Sequence, residues 1–121
     1  MTRERSRKGT EDNYALALET QPNDAYTLVG LGDLNRKKKQ FTEAAYHYQE
    51  CLEIEKDNKF ALAGLGDAYR GLNQVEKALE IWLRYLSLYP HDYKVITRVA
   101  DGFKRRGDLE AAEEYFFLAL K

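Results

Sequence analysis

The sequence predicts an all-α solenoid of about seven helices arranged as antiparallel pairs. From residue 11 onward, apolar residues recur three and four apart with almost no alternating stretches, which is helical periodicity. Turn-forming clusters interrupt that pattern at a constant interval: Asp24, Asn58 and Asp92 lie 34 residues apart, as do Ala44, Ala78 and Ala112. Each unit between them is a helical hairpin too small to bury its own apolar face, so it must stack on a neighbour.

Residues 1–10, MTRERSRKGT, carry Arg3, Arg5, Arg7 and Lys8 against Glu4 and read as an unstructured basic end. This start runs straight into Glu11, Asp12 and Asn13 without the apolar stretch of a secretory signal, which favours a cytoplasmic location. A helix is expected over 11–21, followed by Pro22-Asn23-Asp24. That cluster, Lys56-Asp57-Asn58 and Pro90-His91-Asp92 each end on a residue able to accept from the free N–H groups of the next helix, so helices begin near 25, 59 and 93. Weaker breaks at Lys38-Lys39-Gln40, Gly71-Leu72-Asn73 and Arg106-Gly107-Asp108 divide each unit in two. The expected helices are 25–38, 42–55, 59–72, 75–88, 93–106 and 109–120. The domain organisation is then a basic end (1–10), a partial repeat (11–24), two full repeats (25–58 and 59–92) and a third cut short (93–121).

Composition removes several classes of function. The 121 residues carry 19 Lys+Arg against 20 Asp+Glu, a net charge of −1, so the general cationic field of most nucleic-acid binders is missing. No apolar run approaches the roughly 20 residues that cross a bilayer. The single Cys51 allows no internal disulfide.

At three phases the residues resemble the tetratricopeptide repeats, whose 34-residue signature runs large apolar, x-x, Leu-Gly, x-x, Tyr, then Ala-x-x-x-Phe, then Pro. Leu62, Leu65, Gly66, Tyr69, Ala78, Trp82 and Pro90 match it closely. The first full unit offers Leu28, Leu31, Gly32, Ala44 and Tyr48, with Asn35 in place of the aromatic and Lys56 in place of the proline. The last offers Ile96, Val99, Ala100, Phe103, Ala112 and Phe116, with Ala100 for the glycine. Tyr14, Ala17 and Pro22 look like the second helix of a further repeat. The resemblance implies a right-handed superhelix whose first helices line a concave, peptide-binding surface.

The signature residues serve packing. Gly32, Gly66 and the three alanines are small where helices of a pair approach, and the aromatics fill the wider gaps. Gly-Leu-Gly-Asp lies inside a helix and lacks the Lys-Ser/Thr of a phosphate loop, so no cofactor is expected. Cys51 aligns with Ala17 and Ala119 and reads as a core residue. His47 and His91 pair with no ligand at metal spacing. The glutamates of the second helices form a dispersed solvated face, so the chain is not expected to be an enzyme.

The first-helix face opposite the packing stripe carries the expected partner-binding residues. They are Tyr26, Val29, Asp33, Arg36 and Lys37, then Phe60, Ala63, Asp67 and Arg70, then Lys94, Thr97, Arg98, Asp101, Lys104 and Arg105, with Gly30 and Gly64 between them. Seven cations against three carboxylates make this face +4 and leave the remainder near −5, an arrangement that steers acidic peptides toward it. The same charges admit a second reading, because Asp33, Asp67 and Asp101 each precede a cation by three residues and such pairs support a helix by about 0.2–0.5 kcal/mol. Tyr26 and Phe60 are either apolar anchors for a partner or packing between repeats. Some family members clamp a chaperone's terminal carboxylate, but Val29, Asp33 and Gly64 leave only Lys94 and Arg98 of that set.

The expected function is a non-catalytic protein-interaction scaffold that binds a partner peptide of acidic character in this basic groove. The alternative is a structural repeat that self-associates through open solenoid ends or helix exchange, suggested by Leu118, Ala119 and Leu120. Binding of RNA or an anionic surface is a weaker alternative, and nucleic acid is an unlikely partner on charge grounds.

Overall fold

The computed structural model describes residues 24–121, which form six helices. They are α1 (Ala25–Lys37), α2 (Phe41–Ile54), α3 (Lys59–Gly71), α4 (Val75–Leu88), α5 (Tyr93–Arg106) and α6 (Leu109–Ala119). All begin and end within a residue of the sequence-based ranges. The helix expected over 11–21 lies outside the described residues. No strand occurs among the described residues, and no helix there is long and apolar enough to cross a membrane.

Helix entry follows the capping chemistry that the sequence offers. Asp24 accepts from the amides of Tyr26 (3.0 Å) and Thr27 (3.5 Å), Asn58 from that of Ala61 (2.9 Å), and Asp92 from those of Lys94 (3.1 Å) and Val95 (3.4 Å). The exits of the first helices share one turn. Lys39, Asn73 and Gly107 all adopt left-handed backbone (φ 62°, 60° and 93°), and the next amide returns to a carbonyl five residues back: Gln40 to Asn35, Gln74 to Tyr69, Asp108 to Phe103. The left-handed residue reverses the chain sharply enough for α2, α4 and α6 to pack back on α1, α3 and α5. Only Gly107 adopts it without a Cβ penalty.

Helices pack within pairs, and consecutive pairs stack through α2 on α3 and α4 on α5, with α1 also touching α3. Two apolar clusters result, one around Leu28, Tyr48, Cys51 and Leu65, the other around Leu62, Leu79, Trp82, Tyr85, Ile96 and Val99. Cys51 is fully buried and its thiol is pushed up to about 11, by burial first and by Glu55 second, so it stays protonated as a core group at neutral pH.

Gly32, Gly64, Gly66 and Gly71 owe their place to ring packing rather than to backbone meeting backbone. A Cβ at Gly32 would stand 2.5 Å from Cε1 of Tyr48, and one at Gly64 would press still closer on the same ring. One tyrosine thus closes both the pair α1/α2 and the junction with α3. Gly64, expected on the open face, is buried instead beneath Tyr48. Trp82 lies against Gly66 in the same way. Asn35, at the aromatic position of its repeat, is buried and donates to Gln40 Oε1 at 2.8 Å.

Gly64→Ala is expected to destabilise the protein by about 1–3 kcal/mol through overpacking against Tyr48, although alanine is the better helix former by about 1 kcal/mol. Urea unfolding decides it, since net stabilisation would show that the ring leaves room for a methyl.

Asp92 generates a second test. Partial burial pushes its carboxyl up, but the Tyr85 hydroxyl (2.5 Å), the Val95 and Lys94 amides and the charge of Lys59 outweigh this and hold it below its ordinary 3.8. A lowered carboxyl stabilises the fold above its unfolded value, and that contribution is lost as pH falls through the folded one. Asp92→Ala should therefore lower stability by about 1–3 kcal/mol at pH 7, from the lost cap and the orphaned Tyr85 hydroxyl. Its deficit relative to wild type should shrink below pH 3.8 in thermal melts followed by circular dichroism.

Candidate functional site

The α1–α3–α5 face gathers charges from three successive repeats around one carboxylate. Asp67, at the middle of this face on α3, is only 7% exposed. Arg36 of α1 approaches its Oδ2 at 3.7 Å, while Arg98 of α5 and Arg70 of α3 approach its Oδ1 at 3.6 and 3.9 Å. These contacts are ionic and too long for hydrogen bonds. Oδ1 is buried and accepts no hydrogen bond among the described residues.

Each of the three intrahelical pairs read from the sequence also forms: Asp33–Arg36 at 3.6 Å, Asp67–Arg70 at 3.9 Å and Asp101–Lys104 at 3.7 Å. Asp101 additionally accepts from Arg105 Nε at 2.9 Å. Helix stabilisation and cross-repeat bridging therefore coexist on one ladder. Five of the seven cations are engaged, and Lys37 and Lys94 make no ion pair among the described residues.

Tyr48 supplies the polar group that sequence reasoning missed. Its ring is buried between repeats, yet its hydroxyl donates to Asp33 Oδ1 at 2.5 Å and accepts from Arg36 Nε at 3.2 Å. Burial, opposed by Arg36 and assisted by Asp33, raises the phenol far above its ordinary value, so it remains a neutral donor. Burial weighs against the Arg36 charge, but Tyr48, Asp67 and Asp33 outweigh it and hold the guanidinium above its ordinary range. Arg70 lies over the Trp82 ring at 5.6 Å, a cation–π contact that orients its guanidinium.

The other expected residues divide by exposure. Tyr26 (80% exposed) and Phe60 (67%) stand clear of the packing between repeats among the described residues. Val29 packs against the first core cluster and Ala63 against the second, so both are partly withdrawn from the face. Thr97 is exposed but turns its hydroxyl to the Tyr93 carbonyl at 2.8 Å. The buried Asp67 departs most from expectation, because a residue placed on the open partner-binding face is a carboxylate removed from water. A spacing in the sequence does carry this signal: Arg36, Asp67 and Arg98 are 31 residues apart, one repeat less one helical turn. Among the described residues, no group of His, Cys, Asp and Glu is assembled to hold a metal ion.

A family model described as tetratricopeptide repeat matches residues 35–96, half of the chain. The chain belongs to the tetratricopeptide repeat family. Its helix pairs are accordingly those of a protein-interaction scaffold. Among solved structures it is similar to MamA 41-end from Desulfovibrio magneticus RS-1, at 24% identity and a TM-score of 0.84, covering 88% of this chain and 60% of that one. A MamA RS-1 ArsTM double mutant gives the same values, and MamA MSR-1 C2 matches at 21% identity with a TM-score of 0.78, covering 88% and 61%. This tetratricopeptide repeat chain thus spans about three fifths of those proteins, and at such identities they share its fold. No curated protein matches it.

Proposed function

We propose that the chain is a non-catalytic interaction module that binds an extended, acidic partner peptide along the α1–α3–α5 face. The observation that carries this reading is the imbalance at Asp67, where a single buried carboxylate faces three arginines from three repeats. The surplus positive charge is held in place before any ligand arrives, which favours encounter with acidic segments and lowers the ordering cost of binding them. Exposed Tyr26 and Phe60, one repeat apart, supply apolar anchors along the same path. Fluorescence anisotropy on arrays of length-matched acidic and neutral peptides tests the reading. Acidic peptides should bind at least about tenfold tighter at low salt and lose that preference as salt screens the face. Lys37→Glu/Lys94→Glu, which breaks no ion pair among the described residues, should weaken the acidic peptides selectively. Equal binding of acidic and neutral peptides would refute the proposal.

A second reading, self-association, is favoured by α6. Leu109 (66% exposed), Phe117 (60%) and Leu120 (81%) join Ala112 and Phe116 around an apolar depression of about 290 Å³. α6 here presents the surface that α2 and α4 bury against the following pair, and a helical pair from a second copy fits it by the same packing. Light scattering over a concentration series should show mass rising for the wild type and a constant monomer for Phe117→Asp/Leu120→Asp. A wild-type monomer at millimolar concentration would rule this reading out.

A further inference from the structure

At the C-terminal rim of the same face, the first helices and the α1–α2 turn enclose a cleft of about 300 Å³. Four cations line it: Arg36, Arg70 and Arg105 from the last turns of α1, α3 and α5, and Lys39 from the left-handed turn. Asp67 is the only carboxylate in the lining, and Phe41 gives it an apolar wall. Lining charge is therefore +3, and it stays +3 when the ion-paired neighbours are included, because Asp33 and Asp101 beside Arg36 and Arg105 are matched by Arg98 and Lys104. The carboxyl ends of α1, α3 and α5 oppose an anion, but each contributes only about half a negative charge, and in α1 and α3 the carbonyls of Leu34, Arg36, Ala68, Tyr69 and Arg70 already accept from the amides of Lys38, Lys39, Leu72 and Asn73.

The donors at this cleft are poorly used. Arg36 hydrogen-bonds only through Nε, to Tyr48, with its Nη groups in longer ionic contact with Asp33 and Asp67, and Arg105 only through Nε, to Asp101. Arg70 is held by ionic contact and by the Trp82 ring, and Lys39 has no partner among the described residues. Guanidinium Nη groups that make no hydrogen bond among the described residues, and an ammonium without a partner there, then converge on one small space. A carboxylate side chain neutralises one of the three surplus charges, whereas a phosphoryl group brings about −2 at neutral pH and three acceptor oxygens. We infer that this cleft is a phosphoryl-binding subsite of the groove, taking the phosphorylated side chain of a bound peptide. The inference rests on the peptide-groove reading above and names the chemistry of one anchor within it.

Three fluorescein-labelled degenerate peptide libraries, identical except for phosphoserine, glutamate or serine at the centre, test it by anisotropy. The phosphoserine library should bind at least about tenfold tighter than the glutamate library, and glutamate tighter than serine. Lys39→Asn/Arg105→Gln removes two cleft charges without touching Asp67, and asparagine tolerates the left-handed backbone at position 39. With an unchanged melting curve, this variant should lose most of the preference for phosphoserine over glutamate while keeping that for glutamate over serine. Equal binding of phosphoserine and glutamate, both tighter than serine, would overturn the subsite and leave the acidic groove standing. Equal binding of all three would overturn both. A phosphoserine preference that the double variant leaves intact would place recognition elsewhere and overturn the assignment of this cleft. Tighter binding of a labelled single-stranded RNA than of the phosphoserine library would also overturn it, in favour of nucleic acid.

Discussion

Tyr48 reaches from α2 with its ring over Gly32 and Gly64 and its hydroxyl between Asp33 and Arg36. An aromatic body of this size can lie so close to two helices only where both lack a Cβ, and the closeness draws the following repeat onto the preceding one. The apolar part of the side chain thereby sets how near α1 and α3 stand, and the polar tip emerges on the face that those helices share. Trp82 repeats the arrangement one unit on, over Gly66, with Arg70 lying on its ring. Packing and surface charge are therefore joined through the same two side chains.

That spacing explains the burial of Asp67. A carboxylate withdrawn from water carries a desolvation penalty of several kcal/mol unless opposite charge compensates for it. Three arginines supply that charge from different repeats, and their own flexibility is limited by Tyr48, Trp82 and the carboxylate itself. The cations are accordingly neither free, as a simple count of the face suggests, nor cancelled pair by pair. They form a surplus organised around a shared counterion, which is the property that distinguishes this face from the dispersed charges of the second helices.

Much of this was legible in the residues alone. The 34-residue recurrence, the Asp/Asn caps and the small-residue positions define the helices and their pairing, because those signals are local in the chain. The left-handed turns at Lys39 and Asn73 were visible only as breaks, since lysine does not announce a positive φ and asparagine tolerates one without requiring it as Gly107 does. The cross-repeat contacts were less legible. Asp33, Asp67 and Asp101 occupy equivalent sequence positions, yet their side chains are 54%, 7% and 32% exposed. Equivalence within a repeat does not reveal which neighbours the array provides, and Tyr48 read as a packing residue because its hydroxyl's partners are 12 and 15 residues away.

The inequality among those three aspartates has a consequence for arrays of this kind. Only Asp67 has a first helix on either side of its own among the described residues, and it is the one that sinks from solvent. Burial here follows from the side chains that the adjacent repeats supply rather than from the residue type. Arg98 holds the repeat position of Gly64 and Gly30, so Asp67 meets an arginine from the following first helix where Asp33 meets a glycine. Units that carry the same aspartate thus become chemically unequal, and a partner can distinguish one repeat from the next by how far that shared carboxylate is withdrawn from water.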